Sequence, residues 1–174
     1  MASVGGVALT LDVLVRRLRR AAEQDQLTGL RNRAAFLAAA ERAMLPAQRR
    51  KGAVTVAVID LDDFKTVNDR DGHAAGDRLL VDLAHSWQAA VRGTDLLARY
   101  GGDEFVLLMP DTTAGQAREL LARLARANTE SGWTAGVAQW GGEPLESWIA
   151  AADRDLYRRK AAPRRDRPAR PLVG

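Results

Sequence analysis

The chain has 174 residues, 47% of them hydrophobic and none cysteine, which is enough for one domain with its own core and excludes disulfides and thiolate metal sites. No apolar run reaches the roughly 18 residues of a membrane span, and no charged-then-apolar leader is visible, so the expectation is a soluble, cytoplasmic protein. The net charge of +4 does not argue for nucleic acid: the excess lies late in the chain, from Arg154 through Lys160 to Arg170, without interleaved aromatics or a recognition motif.

In "LDVLVRRLRRAAEQ", Leu11, Leu14, Val15, Leu18 and Ala22 recur at helical spacing with arginines opposite, which predicts an amphipathic N-terminal helix. The series covers about two heptads, too short for a stable coiled coil alone. It reads either as the stub of a signalling stalk or as a helix packed on its own domain. From Asn32 as N-cap, Phe36, Leu37, Ala40 and Met44 predict a second helix that ends at Pro46. "AVTVAVID" reads as a strand buried on both faces and ending on Asp60. A short helical turn around "FKTVND" leads to a longer helix with Leu80, Leu83, Ala84, Trp87 and Val91 as its buried stripe.

"DLLARYGGDEFVLLMP" reads as two strands joined through Gly101 and Gly102, with Asp103 and Glu104 at or beside the tip. Past Thr113 a helix carries Ala117, Leu120, Leu121 and Leu124; "WTAGVAQW" is a strand, and Trp148, Ile149, Ala152 and Leu156 mark a last helix. The alternation predicts an α/β fold of the α+β sandwich kind, one central sheet flanked by helices. The expected divisions are an N-terminal helix over 1–24, a domain over 25–165 and a flexible basic tail over 166–174.

A strand ending in Asp60 and a hairpin tip bearing Asp103 and Glu104 would meet at one edge of the sheet, where like charges repel unless a cation lies among them. Magnesium suits such a place, because it takes one or two carboxylates and completes its shell with water and substrate phosphates. Taken alone, acids after Gly-Gly are more simply read as solvated turn residues.

The neighbouring motifs change that reading. "DLDDFKTVNDRDGHAAGD", from Asp60 to Asp77, fits D-x-D-x-F-K-x-x-N-D-x-x-G-H-x-x-G-D without a gap. Together with "RYGGDEF", "DQLTGLRNR", "WTAGVA" and "AADRDLYRRK" it resembles the GGDEF family of diguanylate cyclases over roughly residues 25–165. The resemblance implies a mostly antiparallel sheet like that of nucleotidyl cyclases and polymerase palms. It also implies an enzyme that condenses two GTP into cyclic di-GMP and two pyrophosphates, with Mg²⁺ or Mn²⁺, across a homodimer in which each domain holds one GTP.

By the same resemblance Asp60, the Leu61 carbonyl and Asp103 hold metal, Asp103 helps take the 3′-hydroxyl proton, and Glu104 is a further ligand or second base. Gly101 and Gly102 let the backbone approach the nucleotide. Asn68 and Asp77 suit the guanine edge by hydrogen bonding, the alternatives being a helix-terminal cap and a first-turn acid. His73 is placed to contact substrate or to structure its loop. Lys65, Lys160 and Arg164 are implied phosphate contacts, although Pro163, Arg164 and Arg165 stand where the family has Gly-Arg-Asn.

Arg92 and Asp95 form an R-x-x-D in register with the family's product-inhibition site; alone, the pattern equally describes a local Arg–Asp ion pair. Asp71 and Arg159 also depart from the family pattern, without touching the metal chemistry. A different class remains open on these residues, a non-catalytic receptor of cyclic di-GMP or GTP. A cyclase for adenine or mixed nucleotides is disfavoured by Asp77.

Overall fold

A computed structural model describes residues 22–50, 52–127 and 132–162. The expected N-terminal helix up to residue 21, the basic tail and Arg164 lie outside the described residues. In chain order the elements are β1 (Arg31–Asn32), α1 (Arg33–Arg50), β2 (Val54–Leu61), α2 (Phe64–Asp71), α3 (His73–Ala90), β3 (Leu96–Gly101), β4 (Glu104–Pro110), α4 (Ala114–Ala127), β5 (Trp133–Gln139) and α5 (Leu145–Ala161).

The strands form one sheet in the order β1-β3-β4-β2-β5, antiparallel throughout except for the parallel β1/β3 pair. The expected sandwich is therefore present, with one strand the sequence reading lacked. β1 is two residues long and carries no apolar alternation of its own; tertiary contact with β3 alone makes it a strand.

β2 explains the two-sided core. Ala57, Ile59 and Leu61 face Leu80, Leu83 and Trp87 of α3 and Leu121 and Leu124 of α4. Val54, Val56 and Val58 face the opposite way, toward Phe36 and Ala40 of α1 and Trp148, Ile149 and Leu156 of α5. The strand is apolar at successive positions because its period-2 pleat presents alternate residues to two separate cores. Each fully buried aliphatic or aromatic side chain contributes about 1.5–3 kcal/mol.

α1 starts as expected, with the Asn32 side-chain oxygen accepting the Ala35 amide at 3.1 Å. It does not stop at Pro46: the helix runs through the proline to Arg50. Proline removes one backbone donor, but Pro46 is exposed, and Ala47 one residue later is buried in the core. That anchorage outweighs the lost hydrogen bond.

β5 is an edge strand, held by α5. The Asp155 carboxylate accepts the Val137 amide at 2.9 Å and also binds Arg158 and Arg159. Burial alone would raise the Asp155 carboxyl, but the Val137 amide and the two guanidiniums hold it below the usual carboxylate range. α5 is thereby fixed in register on the sheet, which sets where its C-terminal turn comes to rest. Among the described residues no helix is long and apolar enough to cross a membrane.

Candidate active site

The site lies where β2 ends beside the β3–β4 turn. Residue 60 of β2 is the direct antiparallel partner of residue 104 of β4, so the Asp60 and Glu104 side chains project from the same face. Both continue a series that faces α5, in β2 after Val54, Val56 and Val58 and in β4 before Val106 and Leu108. Asp103 is brought in by the backbone, its carbonyl accepting the Leu61 amide at 3.3 Å. Two acids directly opposite on a sheet are unfavourable unless something compensates.

The electrostatics register this repulsion. Partial withdrawal from water, then Asp60, Asp153 and Asp103, push the Glu104 carboxyl above its ordinary range, and Lys160 pulls it part of the way back. Asp153 of α5, a residue not singled out from the sequence for a role, is itself pushed up by partial burial against the counter-effect of Arg154. The Lys160 ammonium donates to Asp60 Oδ1. Among the described residues no three His, Asp or Glu side chains form a ready metal group.

The turn itself is fastened on three sides. Phe105 is fully buried, edge-on to Trp87 at 5.2 Å between ring centroids. On the other face of the sheet Tyr100 meets Phe36 edge-on at 6.0 Å, with the Arg33 guanidinium 4.9 Å from the tyrosine ring. Third, Arg99 donates from Nε and Nη2 to the Gly102 carbonyl at 2.9 and 2.7 Å while Nη1 reaches both oxygens of Asp25 at 3.1 and 3.3 Å. Asp25 also accepts the Thr28 amide and hydroxyl at 2.9 and 2.8 Å.

This fork was not found from the sequence, although both ends of it lie within quoted motifs, "DQLTGL" and "RYGGDEF". Nothing in residue type shows that they meet across 74 positions. Gly102 has φ +51°, a left-handed conformation that glycine adopts without penalty. A Cβ at Gly101 or Gly102 would meet no protein atom within 4 Å, so these glycines are not demanded by internal packing.

Asn68 lies on α2 and Asp77 one turn inside α3, past its first turn, so Asp77 is not the first-turn acid of the alternative reading. The Asn68 side-chain oxygen rests directly on Gly76: a Cβ there would stand 2.0 Å from it. Gly76, not singled out from the sequence, thus leaves the room that the Asn68 carboxamide occupies. Lys65, His73 and Asp77 are exposed on these two helices. A groove of about 320 Å³ lined by residues including Met44, Leu45, Trp140 and Leu145 opens at the far end of α5 and contains none of the predicted site residues.

Arg92 and Asp95 close the loop before β3. The Asp95 carboxylate accepts the Arg92 backbone amide at 3.0 Å rather than pairing with its guanidinium, and its other oxygen is buried without a partner. The local ion-pair alternative is therefore not the one adopted. The six residues of β3 separate this loop from the Gly-Gly turn by about 20 Å.

A model of the GGDEF domain of diguanylate cyclases matches residues 22–166. The chain belongs to the GGDEF family. Diguanylate cyclase DgcP of Pseudomonas aeruginosa is 38% identical over 158 residues, covering 84% of this chain and 24% of that protein. A 19.3 kDa protein of Streptomyces ambofaciens is 38% identical over 175 residues, covering 95% and 93% of the two chains. The coiled coil and GGDEF domain of DgcB from Caulobacter crescentus, solved in complex with c-di-GMP, superposes with a TM-score of 0.84 at 27% identity and covers 90% of each chain. The chain spans a quarter or less of the length of the named diguanylate cyclases first matched. Its palm-like GGDEF fold makes β4 and β2 adjacent interior strands of the sheet, with the β3–β4 turn beside the end of β2.

Proposed function

We propose that the chain is a diguanylate cyclase that joins two GTP molecules, each held by one copy of the domain in a homodimer, into cyclic di-GMP and two pyrophosphates. The observation that carries this reading is the register of Asp60 against Glu104 with Asp103 bonded to Leu61 beside an unobstructed glycine turn. Mutual repulsion among these acids is the charge pattern of a divalent-ion site, and two carboxylates with the Leu61 carbonyl meet magnesium's preference for few protein ligands. Mg²⁺ or Mn²⁺ bound to Asp60, Leu61 and Asp103 would acidify the attacking hydroxyl and neutralise the leaving pyrophosphate.

The chain's own residues do the rest. Asp103 accepts the 3′-hydroxyl proton, with Glu104 as second acceptor or added ligand. Asn68 and Asp77 pair with guanine, and such a site rejects a base lacking the complementary donors because its own polar groups are then left unpaired. His73 contacts the substrate and Lys65 and Lys160 take its phosphates, with Arg164 a further phosphate contact by the family pattern. Gly101 and Gly102 keep the turn clear of the nucleotide. Arg92 and Asp95 bind the product as an inhibitor, the guanidinium and carboxylate being groups that can pair with phosphate and with the guanine edge.

The test is incubation with GTP and Mg²⁺ or Mn²⁺, resolving the products, on wild type and on a version artificially dimerised through its N-terminus. Cyclic di-GMP formation that is lost in a folded Asp103→Ala variant is expected. No product from the dimerised protein sinks the enzyme reading, and binding of cyclic di-GMP that is retained by that inactive protein and lost in Arg92→Ala would instead identify a receptor.

A further inference from the structure

The ammonium of Lys160 stands on Asp60, the residue assigned to metal. Its neighbours in the last turn of α5 are committed elsewhere: Arg158 and Arg159 both bind Asp155, at 3.3 and 2.9 Å. Lys160 is therefore the cation that this turn directs into the acidic site, onto Asp60. A divalent ion that takes Asp60 has to displace the lysine and then suffers repulsion from an ammonium a few ångströms away. A triphosphate entering beside four acids, Asp60, Asp103, Asp153 and Glu104, meets the converse difficulty.

We propose that Lys160 is an exchanging counter-ion that couples metal binding to nucleotide binding: it neutralises Asp60 until phosphate oxygens draw its ammonium away, which frees the carboxylate for the ion. The inference deepens the cyclase reading and rests on it. One side chain serves two anions in turn because its flexible four-carbon stem carries a point charge and its ion pair is part-exposed, with side-chain accessibilities of 36% for Lys160 and 20% for Asp60. By linkage, whatever factor the nucleotide adds to metal affinity the metal adds to nucleotide affinity. Lys160 is thus a positioning residue whose effect is on coupling, beyond any phosphate contact it makes.

The experiment is a Mn²⁺ titration followed by the electron paramagnetic resonance of free Mn²⁺, on wild type, Lys160→Met and Asp60→Asn. Each is measured alone and with α,β-methylene GTP, whose carbon bridge cannot release pyrophosphate. Circular dichroism checks that the variants fold. Lys160→Met is expected to bind Mn²⁺ about tenfold more tightly than wild type without nucleotide, and to lose most of the gain that the nucleotide confers on wild type. Mn²⁺ binding that Asp60→Asn abolishes but Lys160→Met leaves unchanged without nucleotide overturns the exchange while leaving the cyclase reading intact. No Mn²⁺ binding by wild type even with nucleotide overturns both.

Discussion

Gly76→Ala is the substitution whose effect can be worked furthest from the geometry. A Cβ at this position stands 2.0 Å from Asn68 Oδ1 and 3.1 Å from Phe64 Cζ, whereas ordinary contact begins near 3.4 Å. The carboxamide must then retreat by 3.4 − 2.0 = 1.4 Å. Misplacing a substrate-positioning group by about 1 Å can cost about 100-fold in rate, which is about 2.7 kcal/mol of transition-state stabilisation. Folding is opposed less, because alanine within a helix is favoured over glycine by about 1 kcal/mol, which offsets part of the overlap.

The assay is the initial rate of pyrophosphate release with GTP and with ATP, alongside thermal unfolding. The expectation is a fall of about 100-fold in kcat/KM for GTP with a much smaller change for ATP, so that base selectivity collapses while the protein stays folded. A folded Gly76→Ala protein whose kcat/KM for GTP stays within about threefold of wild type would refute the placement of Asn68 at the base.

Two further outcomes follow from the Arg99 fork. Arg99→Lys retains a charge for Asp25 but loses the planar fork that holds the Gly102 carbonyl, so kcat should fall about tenfold, with urea unfolding showing less than about 1 kcal/mol of lost stability. Asp25 is raised by burial but lowered further by Thr28 and Arg99, to a net position below its ordinary 3.8. The folded state thus binds fewer protons than the unfolded one, and the resulting stability is present above that ordinary value and is lost as pH falls through the lowered one. Asp25→Asn should therefore be less stable than wild type in urea at neutral pH, and the difference should shrink in acid; an equal deficit at both pH values would exclude the charge as the cause.

The places of the motif residues in the fold were readable from residue types at fixed spacing. "DLDDFK" and "RYGGDEF" name a strand end and a turn, and apolar runs such as "AVTVAV" name the strand that joins them to the core. Helices with wide apolar stripes, α3 and α5, were legible for the same reason: periodicity is a local property. β1 was not, since two polar residues carry no period, nor was the passage of α1 through Pro46, which depends on Ala47 reaching a core assembled from other elements.

By itself the sequence determined which acids, amides and lysines were available and that they fall within the motifs of one family. Only tertiary structure decided their pairings: Asp60 opposite Glu104, Lys160 on Asp60 across 100 positions, Arg99 between Asp25 and Gly102, and Gly76 beneath Asn68. Asp60–Glu104, Lys160–Asp60 and Arg99–Asp25 join segments distant in sequence through strand register or helix docking, and Gly76–Asn68 joins two consecutive helices across the turn between them. A side chain's type fixes what it can bond, whereas its partner is fixed by the packing of everything between them.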